Sequence, residues 1–149
     1  MSITAETVDG YFQQYGWSFT REPESNDWDT SFRGEVSTFR ILARLTNDWI
    51  FFVINPFVLA PQSPECAARL HWHLLRLNQD IILAKLALDE DDDVLLAVEL
   101  PTENLDYSEF SDAINALCYY ADDIYLELLN LSRVPGAPSR YDPPLSEPE

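Results

Sequence analysis

Three clusters in this 149-residue chain have the residue types for chemistry. Asp89, Asp91 and Asp93 repeat the 1, 3, 5 spacing of an EF-hand calcium loop. The match then stops: the sixth position, which needs Gly for its sharp turn, is Val94, and the twelfth, which needs a bidentate Glu, is Leu100. The run Asp89 to Asp93 reads as a solvated hairpin turn. His71-Trp72-His73 resembles a metal or catalytic pair until it is placed on a helix, where i and i+2 project about 200° apart and cannot share one ion. Cys66 and Cys118 each sit inside an apolar helical pattern and read as buried thiols, so a Cys66–His73 nucleophile has no support from spacing. The four glycines are scattered, leaving no phosphate-cradling loop, and neither C-x-x-C nor G-x-S-x-G occurs. Acids at exposed helix positions follow from composition, so no carboxylate pair is assigned to catalysis. The sequence therefore assigns no catalytic residue, no metal and no cofactor, and the chain reads as a protein that is not an enzyme.

The elements that position these residues follow from periodicity. Val8, Tyr11, Phe12 and Tyr15 make an i, i+3, i+4, i+7 stripe ending at Gly16, which predicts a helix over 4–15. Trp17 to Thr20 reads as a short strand and Glu22 to Thr30 as an acidic loop. From Val36 the period becomes two, with Phe39, Ile41, Ala43 and Leu45 on one face and Thr38, Arg40, Leu42 and Arg44 on the other. Asn47-Asp48 suits a tight turn into the apolar run Trp49 to Ile54, which Pro56 is expected to stop. Ser63 as N-cap, Pro64 at the first position and Glu65 in the first turn predict a helix to about Asn78. Its core arc is Cys66, Ala67, Leu70, Leu74 and Leu77, and its outer face, with Arg69, Trp72 and Arg76, is cationic.

Ile81 to Leu88 and Val94 to Leu100 flank the acidic turn and form a second hairpin with Leu88 opposite Val94. One face then carries Ile82, Ala84, Leu86 and Leu88 with Val94, Leu96, Val98 and Leu100, and faces the core. The other carries Ile81, Leu83, Ala87, Leu95 and Ala97 around Lys85 and Glu99, too apolar to be left in water. Asp106 and Glu109 have capping-box spacing, Leu105 and Phe110 make a hydrophobic staple, and a helix follows over Tyr107 to Leu131. After Ser132 the chain places five of its ten prolines in seventeen residues. The expected organisation is one domain over 1–131 and a Pro-rich tail over 132–149, disordered or loosely docked. The order α-β-β-β-α-β-β-α gives an α+β fold: two layers, a five-stranded antiparallel sheet with helices on one face.

Charge narrows the function. Nine Lys+Arg against 26 Asp+Glu give a net charge of −17, and thirteen of the acids lie between Leu86 and Ser132 with no Lys or Arg among them. Such a field repels phosphate backbones and anionic lipid, so neither nucleic acid nor membrane is an expected partner. No apolar run approaches the roughly 18 residues of a membrane span and the first residues lack a signal-peptide pattern, so the cytoplasm is the expected compartment. With 46% hydrophobic residues, a chain this long has the side chains for a core without disulfides. Tyr119 and Leu126, set within the acidic helix face, suit contacts with a protein.

The stretch from Leu74 to Leu129, LLRLNQDIILAKLALDEDDDVLLAVELPTENLDYSEFSDAINALCYYADDIYLELL, resembles the YbjN family, whose domain resembles the type III secretion chaperone fold. The similarity extends more weakly upstream, to residues 1–131, and Asp92 stands where the family pattern has a turn glycine. The resemblance implies a small acidic protein, often a homodimer, that works by binding another polypeptide; some members are described as sensory-transduction regulators. It carries no catalytic motif. The expected interface combines Trp72, Ile81, Leu83, Leu95, Ala97, Tyr119 and Leu126, with a second copy or an extended client covering the apolar face. The alternative is an acidic nucleic-acid mimic that sequesters a basic protein through the carboxylates of the last helix.

Overall fold

The computed structural model describes residues 3–145. Its elements are α1 (Ala5–Tyr15), β1 (Asp27–Arg33), β2 (Thr38–Leu45), β3 (Trp49–Val58), α2 (Pro64–Asp80), β4 (Ala84–Leu88), β5 (Val94–Pro101) and α3 (Tyr107–Arg133). The strands form one antiparallel sheet in the order β1-β2-β3-β5-β4, so β3 is central, as its unbroken apolar sequence requires. All three helices pack on one face, with α3 over β3 and β5, α2 beside it over β4, and α1 against α3. The α+β, two-layer order read from the sequence is the observed one.

Local signals act where they were found. The Thr4 hydroxyl caps α1, and Gly16 takes the left-handed conformation (φ 90°) that lets its N–H close on Phe12 and Gln13 carbonyls. Ser63 caps α2 with Pro64 behind it, and the Asp106 carboxylate accepts from the Glu109 amide at 2.9 Å to start α3. Hydrogen bonds from the Glu109 and Ser108 groups hold the Asp106 carboxyl below its ordinary range. Leu88 faces Val94, the register that alternation demanded. Asp92 closes the turn at φ 63°, the conformation for which glycine is the unstrained residue.

Four expectations are corrected. The first strand is not Trp17–Thr20, of which only a Thr20–Asp29 bridge remains; β1 begins inside the stretch read as an acidic loop. Its acids are one face of a strand: Trp28, Thr30 and Phe32 turn to the core while Asp27 and Asp29 turn outward to Arg44 and Arg40. Pro56 does not end β3, because a register shift between Ile54 and Val58 accommodates a residue with no N–H to donate. Ile82 leaves the core face: the chain after α2 reaches the sheet only at Ala84, with Leu83 at φ 73° and Ile82 75% exposed. Leu88 also lies at the exposed end of its strand. In the Pro-rich segment 132–149, expected to be disordered or loosely docked, Ala137 and Ser139 are buried; its residues 146–149 lie outside the described residues.

The core is an aromatic cluster at the α1–α3–sheet junction extended by aliphatic side chains toward α2. Phe110 is fully buried between Phe12 (4.9 Å between ring centroids), Phe52 (5.4 Å) and Tyr11 (5.4 Å). One contact ties the β1–β2 turn to α3: the Glu35 amide donates to the Asp122 carboxylate at 3.0 Å, directly over Gly34. A Cβ at Gly34 would overlap that carboxylate. Gly34→Ala is therefore expected to cost about 1–2 kcal/mol by losing the bond, and to cost almost nothing in an Asp122→Ala background. Urea unfolding of the four proteins checks this; additive losses would show that the two residues do not act through each other.

Candidate protein-binding surface

With the helices on one side, the opposite face of the sheet has no covering element among the described residues. Alternation decides what it presents. Because Ile50, Phe52 and Ile54 of β3 point to the core, Phe51 and Val53 must point outward, and pairing places Leu42 beside Val53 and Ala97 on its other side. Leu95, next along β5, extends the patch. Together these apolar side chains floor a groove of about 510 Å³.

Charges frame the groove in opposite pairs. Arg44 reaches Asp27 at 2.8 Å and Arg40 reaches Asp29 at 2.5 Å on the β1–β2 side, and Lys85 pairs with Glu99 on the β4–β5 side. The hydrogen-bonded guanidiniums hold the Asp27 and Asp29 carboxyls below the usual range. Paired exposed charges contribute little stability, but they keep the rim soluble and leave the floor apolar. A floor of this kind, in pleat register, suits an extended chain whose alternate side chains are apolar.

The residues expected to form one interface occupy separate places. Leu95 and Ala97 line the sheet groove. Ile81 is half-buried where α2 turns into β4, and Leu83 follows it, 44% exposed. Trp72 lies on the helix layer, its ring edge-on to Tyr141 at 6.5 Å and 5.8 Å from the Arg69 guanidinium. Tyr119 and Leu126, two turns apart, stand exposed on α3. Leu42, Phe51 and Val53 complete the groove and were not singled out from sequence. The signal was present: a strand apolar at every position, such as Trp49 to Ile54, has two apolar faces, and one of them must meet something other than the helices.

The chemical clusters resolve plainly. The carboxylate oxygens of Asp89, Asp91 and Asp93 come within 4.8 Å of one another, but Asp89 accepts from the Asp91 and Asp93 amides at 2.8 and 3.0 Å, and Asp93 accepts from the Ala60 amide at 2.8 Å. These bonds are those of a tight turn docked on the β3–α2 connection. Burial pushes the Cys118 thiol up to about 12, far from thiolate chemistry, and Cys66 is buried. His73 points into the protein and His71 lies apart from it on the helix. No helix among the described residues is long and apolar enough to cross a membrane.

The fold has known counterparts. YbjN from E. coli superimposes with a TM-score of 0.61 at 14% identity, covering 85% of this chain and 96% of its own. A chain of the heterodimeric ExoU–SpcU complex from the type III secretion system of Pseudomonas aeruginosa matches with a TM-score of 0.55 at 22% identity, covering 84% and 97%. The structure of the Yersinia pestis type III secretion chaperone SycH with a fragment of YscM2 matches with a TM-score of 0.55 at 14% identity, covering 78% and 95%. Comparison with curated protein sequences gives no significant match. The CesT_Tir_1 family model spans residues 1–133, which is every helix and strand of the fold, and the chain belongs to this family of type III chaperones.

Proposed function

We propose that this chain is a non-catalytic, chaperone-like adaptor or regulator that holds a segment of another polypeptide, in extended form, on the open face of its sheet. One observation carries the reading: Leu42, Phe51, Val53, Leu95 and Ala97 form an apolar floor, framed by ion pairs, on a sheet face that no helix of the described residues covers. The structures of related fold that hold a chaperone with another protein, SycH with a fragment of YscM2 and the HopA1–SchA chaperone–effector complex, support it. The acidic face of α3, with Tyr119 and Leu126, lies in the helix layer across the sheet from the groove and acts at longer range, steering cationic segments toward the protein. We assign a second role to the exposed stripe Trp72, Leu75 and Ile82, continued by Leu83: it is the contact for a second copy, making a homodimer. The place of action is the cytoplasm.

The test is affinity capture from lysate of the source cells with the wild-type chain and with Leu95→Glu, beside light scattering of both. A carboxylate placed in the desolvated groove is expected to weaken client binding by about 100-fold or more while the protein stays folded, since in the free protein the new side chain reaches water. Capture that persists in the variant removes the groove from the function. Capture that collapses steeply between low and moderate salt supports instead the acidic mimic of nucleic acid. A monomer in light scattering removes the dimer.

A further inference from the structure

Val134–Asp142 crosses the groove between α2 and α3; Ala137 enters the hydrophobic core and Tyr141 packs against it, and the remaining contacts are polar and specific. Arg69 of α2 donates twice to the Ala137 carbonyl, at 3.0 and 2.8 Å, and reaches Asp142 at 2.5 Å. Arg140 donates through its amide and its Nε to the Glu127 carboxylate of α3, both at 2.7 Å, and approaches Asp123 at 3.3 Å. The Tyr141 ring lies 5.2 Å from the Arg76 guanidinium, and its hydroxyl donates to Asp80 at 2.5 Å. Burial and that carboxylate push the tyrosine up to about 12, so it stays a donor throughout the working range.

Beneath these contacts sits His73, fully buried, with Nδ1 2.6 Å from the Ser139 hydroxyl. The Ser139 oxygen accepts from the Tyr141 amide at 3.1 Å and its hydrogen is available for donation to His73 Nδ1, the arrangement we assign. The imidazole is then neutral, with its proton on Nε2, 3.3 Å from Glu127 but outside hydrogen-bond geometry. A second proton would turn Nδ1 into a donor and leave the Ser139 hydroxyl hydrogen without its acceptor in a buried place. We propose that Val134–Asp142 is an acid-released strap over the α2–α3 groove, and that protonation of His73 is the event that unfastens it. Release frees the Arg69 guanidinium from the Ala137 carbonyl and Asp142 and takes the Tyr141 ring away from Arg76, leaving both cations of α2 without their strap partners.

The charges around the ring set the sign. Burial is the largest influence and disfavours the imidazolium; Glu127 of α3 favours it, Arg140 of the strap and Arg69 of α2 oppose it, and Asp142 lies close enough to feel its charge. Glu127 cannot compensate fully, because both its oxygens are held by Arg140. The docked histidine therefore titrates below 6.5, and the released one, in water, near it. Docking is fully stable above that value and weakens as pH falls below it.

The experiment follows amide exchange in the full chain at pH 7.0 and 5.5, corrected for intrinsic rates. With the released histidine titrating near 6.5 and the docked one below it, linkage gives an opening constant that is larger at pH 5.5, by at most about eightfold. The Ser139 and Tyr141 amides are expected to lose protection within that limit, while α3 amides near Leu117 keep theirs. His73→Asn, which can accept from Ser139 but does not titrate, is expected to abolish the dependence. Equal protection at both pH values overturns the proposal, as does the same loss in the Asn variant. Should that variant fail to fold, an NMR titration of the wild-type His73 ring decides alone: an intact strap with a ring titrating at or above 6.5 refutes the mechanism.

Discussion

Phe110→Ala is expected to destabilise the protein by about 4 kcal/mol, a large part of the roughly 5–15 kcal/mol that holds a domain together. Phe110 is fully buried at the meeting point of all three parts of the aromatic cluster, α1 through Phe12 and Tyr11, the sheet through Phe52, and α3 itself. Removing the ring loses its transfer free energy and leaves a cavity lined by rigid aromatic neighbours that cannot collapse into it. For a chain of this length the melting temperature should fall by roughly 10–15 °C. Thermal unfolding followed by circular dichroism measures it, and a fall under 3 °C would show that the cluster does not organise the core.

Asp9→Ala is expected to cost about 3 kcal/mol for a different reason. The Asp9 carboxylate accepts from Arg21 at 2.9 and 2.6 Å and from the Trp28 indole at 2.8 Å, and thereby ties α1 to the β1 region that local sequence did not reveal. Both partners of the ion pair are largely shielded from water, so truncation leaves a guanidinium and an indole N–H without an acceptor. The hydrogen-bonded Arg21 holds the Asp9 carboxyl below its usual range against the opposing effect of burial. A depressed carboxylate contributes stability that is present above its unfolded value, near 3.8, and is lost as pH falls through the folded one. Urea midpoints of wild type and variant should therefore differ clearly at pH 7, and the difference should shrink as pH falls below 3.8. A constant difference across that range would assign the loss to packing rather than to the ion pair.

What the sequence alone determined was every feature carried by local periodicity and end chemistry. The stripe of α3 from Phe110 to Leu128, the Ser63-Pro64 start of α2 and the Leu88–Val94 register each depend on residues within a few positions of one another, and all appear in the structure. The two-layer order follows, since amphipathic helices and a half-apolar sheet have few ways to cover each other. The family itself is legible in the resemblance of the Leu74–Leu129 run, not in periodicity.

What needed the tertiary structure was whatever depends on partners far away in the chain. Asp27 and Asp29 look like loop residues until β2 brings Arg44 directly across from Asp27 and Arg40 diagonally to Asp29, and that pairing turns an acidic segment into β1. The groove is assembled from outward positions of three strands, Leu42, Phe51 with Val53, and Leu95 with Ala97; that such faces are apolar is legible locally, but which strands lie side by side is decided by long-range pairing. His73 was one member of a pair dismissed on helical spacing; its partners, Ser139 and Glu127, lie 66 and 54 positions away in a strap and a helix that only packing brings together. Local sequence fixes which way a backbone turns, whereas a site requires side chains to converge, and convergence is decided by how the layers stack.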